Sequence, residues 1–151
     1  MIVGTVESEK FDITNEIILK EGGESIQAEL HKWLEHNDGV PDGDAVLSEA
    51  GSLKCKYILH VVGTFAVEGE EGPRRATRHL YGCIKNLLDN ADYLCASSIS
   101  IPASLTKAAL GSLAPDPADA ADLIVSACVD WLDDHRRYEC DVATIRICTD
   151  D

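Results

Sequence analysis

Tyr57-Ile58-Leu59-His60-Val61-Val62 is the stretch whose reading decides the fold. It is an almost unbroken apolar run of strand length, rich in β-branched residues, and such runs belong to strands covered on both faces. His60 is the one polar side chain within it. A lone histidine on an apolar strand reads as a core histidine with a satisfied ring more readily than as a catalytic base.

Working outward, Asp44 to Ser48 reads as a short strand ending in a turn at Ala50-Gly51. An acidic, glycine-containing loop (Glu68 to Gly72) follows the central run. Pro73 then opens a helix that gathers Leu80, Ile84, Leu87, Leu88 and Ala91 on one side. Ser98 to Ile101 is the next strand, and Pro102 begins a loop that extends to Pro117. A helix from Ala118 to His135 carries Ile124, Ala127, Cys128, Trp131 and Leu132 as its inner stripe, and Val142 to Cys148 reads as a closing strand. On the other side, Ile2 to Val6 is β-prone and Glu16-Ile-Ile-Leu-Lys20 reads as a second strand. Ser25 is the expected cap of a helix to His36 with Ile26, Leu30, Trp33 and Leu34 at helical spacing, stopped by Asn37-Asp38-Gly39. Strands alternating with helices predict an α/β fold, a three-layer α/β/α sandwich around a mixed, mainly parallel sheet. Ligands of such sheets sit beyond the carboxyl ends of the strands, which points to the loops after residues 62 and 101.

The 151 residues fit one domain over residues 1–151, and 45% hydrophobic content supplies a core. Thirteen basic against 27 acidic residues leave a formal charge of -14, which argues against nucleic acid or an anionic membrane as the main partner. The opening MIVGTVESEK lacks a basic, then apolar, leader pattern. No apolar run approaches the roughly 18 residues that cross a bilayer. An intracellular protein, cytoplasmic or nuclear, is the expectation. Six cysteines without a C-x-x-C pair read as reduced, partly buried thiols.

Phosphate-loop, dinucleotide-loop, nucleophile-elbow and zinc-helix motifs are absent, and no pattern calls for a cofactor or a metal. Asp116, Asp119 and Asp122 straddle a helix start and read as partners of the helix dipole, with a divalent-metal cluster as the sharper alternative. Arg74, Arg75 and Arg78 form the densest basic cluster. Facing Glu68, Glu70 and Glu71, they read as a solvated, self-neutralising surface, with an anion-binding patch as the sharper alternative.

The block Gly43-Asp-Ala-Val-Leu-Ser-Glu-Ala-Gly-Ser-Leu-Lys-Cys-Lys-Tyr-Ile-Leu-His-Val-Val-Gly63 resembles the macro domain family, with Thr64 in place of the usual proline. Ser98-Ile-Ser-Ile-Pro-Ala103 is similar to the strand that leads into that family's phosphate loop, and Leu123-Ile-Val-Ser-Ala-Cys-Val129 continues the match. The resemblance covers residues 22 to 148. It implies a sheet between helices and binding of ADP-ribose, free or attached to protein, with hydrolysis of ADP-ribose linkages in some members.

Carried over by resemblance, Asn15 stands where an asparagine orients the distal ribose, and Gly22-Gly23 match the family's glycine run. On that alignment Gly23 leads almost directly into the next helix, and the family's intervening helix has no counterpart. Thr106, Lys107 and Gly111 fall on the phosphate loop, with Lys107 where a glycine belongs; a lysine there disfavours positive φ and close backbone approach. The ligand-binding set is therefore Asn15, Gly22, Gly23, Thr106, Lys107 and Gly111, with no catalytic residue assigned. Three readings follow: a non-enzymatic reader of ADP-ribose or ADP-ribosylated protein, a degenerate module that binds a protein partner, and an ADP-ribosyl hydrolase.

Overall fold

The computed structural model describes residues 1–6, 16–37, 40–41, 44–62, 72–106, 116–135 and 139–148. The elements run β1 (Ile2–Val6), α1 (Glu16–Gly22), α2 (Glu24–Glu35), β2 (Ala45–Glu49), β3 (Tyr57–Val62), α3 (Gly72–Tyr93), β4 (Ser98–Pro102), α4 (Pro117–His135) and β5 (Thr144–Cys148). The sheet order is β2-β3-β1-β4-β5. Strand β1 pairs in parallel with β3 and β4, and β4 in parallel with β5, while β2 runs antiparallel on β3. The mixed, mainly parallel sheet expected from the sequence is the one observed.

Alternation along β3 divides the core. Leu59 and Val61 face one side with Val3, Ile99 and Ile101, under Leu80, Ile84, Leu87 and Leu88 of α3 and Ile124, Ala127 and Trp131 of α4. Ile58 and Val62 face the other side with Val46, under Ile18 of α1 and Ile26 and Leu30 of α2. Both faces of β3 are sealed, as its apolar run requires. Between α3 and α4, the fully buried Trp131 donates its indole N–H to Asp89 at 2.6 Å, and Lys85 pairs with Asp134.

One expected strand is a helix. Glu16–Gly22 forms α1, not a second strand, and it stands directly before α2. This helix ends at Gly22, and Gly23 leads directly into α2 with no further helix between them. The buried residues of α1 are Ile18 and Gly22, one helical turn apart, while Ile17 is exposed. A two-turn helix built on β-branched residues has little propensity of its own, and tertiary packing decides it. The cap of α2 also moves: Gly23 occupies it at φ 93°, and Ser25 lies inside the first turn.

Candidate functional site

In a sheet of this kind the functional edge is where the parallel strands end. β1, β3 and β4 run the same way and end at Val6, Val62 and Pro102. After β4 the chain turns at once. The Ala103 N–H donates to the Cys148 carbonyl at 2.7 Å, which ties the turn to the end of β5. Thr106 is buried, and its hydroxyl donates to the Ala103 carbonyl at 2.9 Å while its own N–H reaches the same oxygen at 3.2 Å. The hydroxyl is thus engaged in shaping the turn. Asn15, Lys107 and Gly111 lie outside the described residues.

Among the described members of the expected ligand set, Gly22 and Gly23 stand apart from Thr106. Gly22 and Gly23 join α1 to α2 beside the turn between β2 and β3. The Gly22 carbonyl accepts the Ser52 N–H at 2.9 Å. That turn follows Glu49, which pairs with Tyr57 at the start of β3. The glycines therefore sit where the parallel strands begin and Thr106 sits where they end, with roughly 16 Å of strand between the two levels. Close approach is what the glycines provide: a Cβ on Gly22 would meet Ile26 at 2.4 Å, and one on Gly51, itself at φ 54°, would meet the Gly22 carbonyl oxygen at 2.2 Å.

On the face covered by α1 and α2 lies a polar pair within apolar surroundings. Ser48 Oγ and His60 Nε2 are 2.8 Å apart, and both residues are buried. The Ser48 hydroxyl donates to the Glu49 carbonyl at 3.0 Å, so the His60 Nε2–H donates to Ser48. His60 Nδ1 is then a bare lone pair, and it has no hydrogen-bond partner. It points toward Gly4, where a Cβ would stand 3.1 Å from it and 2.8 Å from Ile18. Burial pulls the imidazole down to about pKa 4, which keeps it neutral near pH 7. A neutral ring locked between two strands is a core group, as the sequence reading expected, but only one of its two nitrogens is satisfied. Ser48 was not singled out from sequence. The period-2 alternation Val46-Ser48-Ala50 is the signal that places it inward.

The remaining candidates behave as structural groups. The Asp116 carbonyl accepts the Ala120 N–H at 2.8 Å and Asp119 lies in the first turn of α4, in keeping with the dipole reading. All six cysteines are unpaired. Burial pushes the Cys83 thiol up to about 12, helped by Asp44, and Cys128 to about 11, so neither is a thiolate near neutral pH. Among the described residues, no group of three or more His, Cys, Asp or Glu side chains can hold a metal ion, and no helix is long and apolar enough to cross a membrane.

Among the described residues, a five-stranded mixed sheet with β1 central, helices on both faces and parallel strands ending at one edge defines a three-layer α/β/α architecture. The family model of the macro domain matches residues 13–113, and the chain belongs to that family. It is 34% identical over 134 residues to an uncharacterized Thermotoga maritima protein, covering 89% of this chain and 21% of that one. It is 36% identical over 90 residues to a Sulfolobus acidocaldarius protein, covering 59% of this chain and 46% of that protein. The chain thus spans a fifth to about half of the length of these relatives.

Among solved structures it is similar to the macrodomain of Oceanobacillus iheyensis with ADP, at TM-score 0.76 and 18% identity over 99% of this chain and 75% of that one. It is also similar to the Trypanosoma brucei macrodomain in complex with ADP-ribose, at TM-score 0.68 and 16% identity over 98% of this chain and 56% of that one.

Proposed function

We propose that this macro domain is a module that binds ADP-ribose or a related nucleotide, free or protein-linked, and does not hydrolyse it. The observation that supports the reading is the shared edge at which β1, β3 and β4 end, since the segments that carry Asn15 and Thr106-Lys107-Gly111 leave the sheet there. Backbone N–H groups at such an edge bind a diphosphate without lysines. Against turnover stand Lys107 at a family glycine position and the Thr106 hydroxyl committed to the Ala103 carbonyl. In this reading Gly22 serves close packing, Gly23 the positive φ at the cap of α2, and the ligand contacts fall to Asn15, Lys107 and Gly111. We place the protein inside the cell, cytoplasmic or nuclear, with residues 1–151 as one module.

Calorimetric titration with ADP-ribose, with ADP as the control, tests the proposal. The expected result is micromolar binding, tighter for ADP-ribose, that Gly111→Glu abolishes. No heat and no thermal stabilisation at millimolar ligand refutes it. Release of ADP-ribose from a modified protein by the parent chain would refute the non-catalytic part alone.

A second reading, a protein-interaction module, is favoured by a stripe on α4: Val125, Val129 and Leu132, one helical face, are 44%, 47% and 39% exposed. A stable oligomer in light scattering, lost with Val129→Asp, is its expected signature, and a monomer at all concentrations counts against self-association through that stripe.

A further inference from the structure

Arg74, Arg75 and Arg78 occupy the first two turns of α3, and all three are exposed. At 100° per residue Arg78 falls between the other two, so the guanidinium groups share one helical face. Their placement runs against local electrostatics three times over. The start of a helix favours acidic residues, yet the first turn of α3 has none. Like charges at i and i+4, as in Arg74 and Arg78, repel. Among the described residues none of the three enters an ion pair. The glutamates expected to neutralise them, Glu68, Glu70 and Glu71, lie outside the described residues. An arrangement that opposes the local preferences of a helix start and has no ion pair among the described residues is the kind that serves a partner.

Position and composition narrow that partner. Asn86 donates to Asp44 at 3.1 Å, and the Asp44 carbonyl accepts the N–H of Val62, the last residue of β3. Asn86 therefore marks the edge where the strands end, and Arg78 and Arg74 lie about 12 and 18 Å further along the helix. The arginine face projects past the sheet, while the chain as a whole carries a charge of -14. A long polyanion laid across it would continue over acidic surface and be repelled, whereas a short anionic segment would not. Single-stranded nucleic acid also needs aromatic platforms for its bases, and residues 72–80 include no Phe, Tyr or Trp. Guanidinium forks match carboxylates in pairs.

We propose that Arg74, Arg75 and Arg78 form a docking face for a short acidic protein segment, rich in Asp and Glu, independent of what the sheet edge binds.

Fluorescence anisotropy with a labelled twelve-residue Asp/Glu peptide at 50 and 150 mM salt tests this, with a single-stranded DNA dodecamer as control. The expected result is peptide binding that weakens with salt and falls by about tenfold or more in the Arg74→Glu/Arg78→Glu variant. The same variant is expected to melt at an unchanged or slightly higher temperature, because it places acids at a helix start. Lack of binding at 50 mM salt, equal affinity after reversal, or DNA bound as tightly as the peptide overturns the proposal. A lowered melting temperature in that variant, or in Arg75→Glu alone, also overturns it by showing that the arginines serve the fold.

Discussion

His60 makes the stability of this fold sensitive to mild acid. Its ring is fully buried, donates through Nε2 to Ser48 and presents an unpartnered Nδ1 to Gly4 and Ile18. Burial penalises the charged form of the ring, which is why the group is pulled down to about 4 from 6.5. Above pH 6.5 both folded and unfolded chains hold the ring neutral, and its contribution is complete. As pH falls below 6.5 the unfolded chain takes up the proton and the folded chain does not. Stability therefore drops by up to about 1.4 kcal/mol per pH unit until the folded ring also titrates near pH 4. Integrated over that window the loss is about 3 kcal/mol, a large part of the 5–15 kcal/mol typical of a domain.

Urea denaturation of the parent and of His60→Gln at pH 7.5, 6.5, 5.5 and 4.5 isolates the effect, since every carboxylate is common to both chains. The variant is expected to be less stable at pH 7.5 and to lose about 3 kcal/mol less than the parent on acidification. Parallel pH profiles, within about 0.5 kcal/mol at equal m-values, would refute the reasoning and mean that His60 finds a proton acceptor in the native state.

Three further outcomes are expected. Gly51→Ala, at φ 54° with a Cβ that would meet the Gly22 carbonyl oxygen, lowers unfolding free energy by about 2 kcal/mol or more, measured by thermal and urea melts. Gly23→Ala, at φ 93° with open space around it, costs about 1 kcal/mol and leaves any ADP-ribose affinity unchanged; a tenfold loss of affinity in calorimetry would return this glycine to the ligand site. Asp89→Ala removes the acceptor of the Trp131 indole and the partner of His135 at 3.6 Å, and destabilises by about 1–2 kcal/mol. Asp89→Asn, which keeps an acceptor oxygen, recovers most of that loss in the same melts.

What the sequence disclosed follows from where long-range packing was dispensable. The run Tyr57–Val62 names a doubly covered strand by composition alone. Helix α3 is equally plain, since Leu80, Ile84, Leu87, Leu88 and Ala91 repeat the helical period and all are buried. Glu16–Gly22 was opaque because Glu16–Lys20 satisfies a strand pattern as well as a helix. Only the seating of Ile18 and Gly22 against α2 and the Gly51 turn decides it. The glycines show the same limit in the site. A Gly-Gly pair announces close approach or positive φ, but not whether the object approached is a phosphate or, as here, the backbone at Gly51 and Ser52. Thr106 kept its hydroxyl in the sequence, and the short turn after β4 turned that hydroxyl inward to Ala103.

The central position of β1 has a consequence for how the protein is made. Val3 aligns with Leu59 and Ile2 with Ser100, so the middle strand of the sheet is synthesised long before either neighbour. At the usual 5–20 residues per second, β1 waits about 3–11 s for β3 and about 5–20 s for β4. During that interval an apolar strand has neither of its two edges paired, and only the early helices α1 and α2 are available to shield one face. The central strand therefore waits for both of its neighbours before β5 closes the edge, and the period in which the nascent chain is most open to mispairing is written into the strand order.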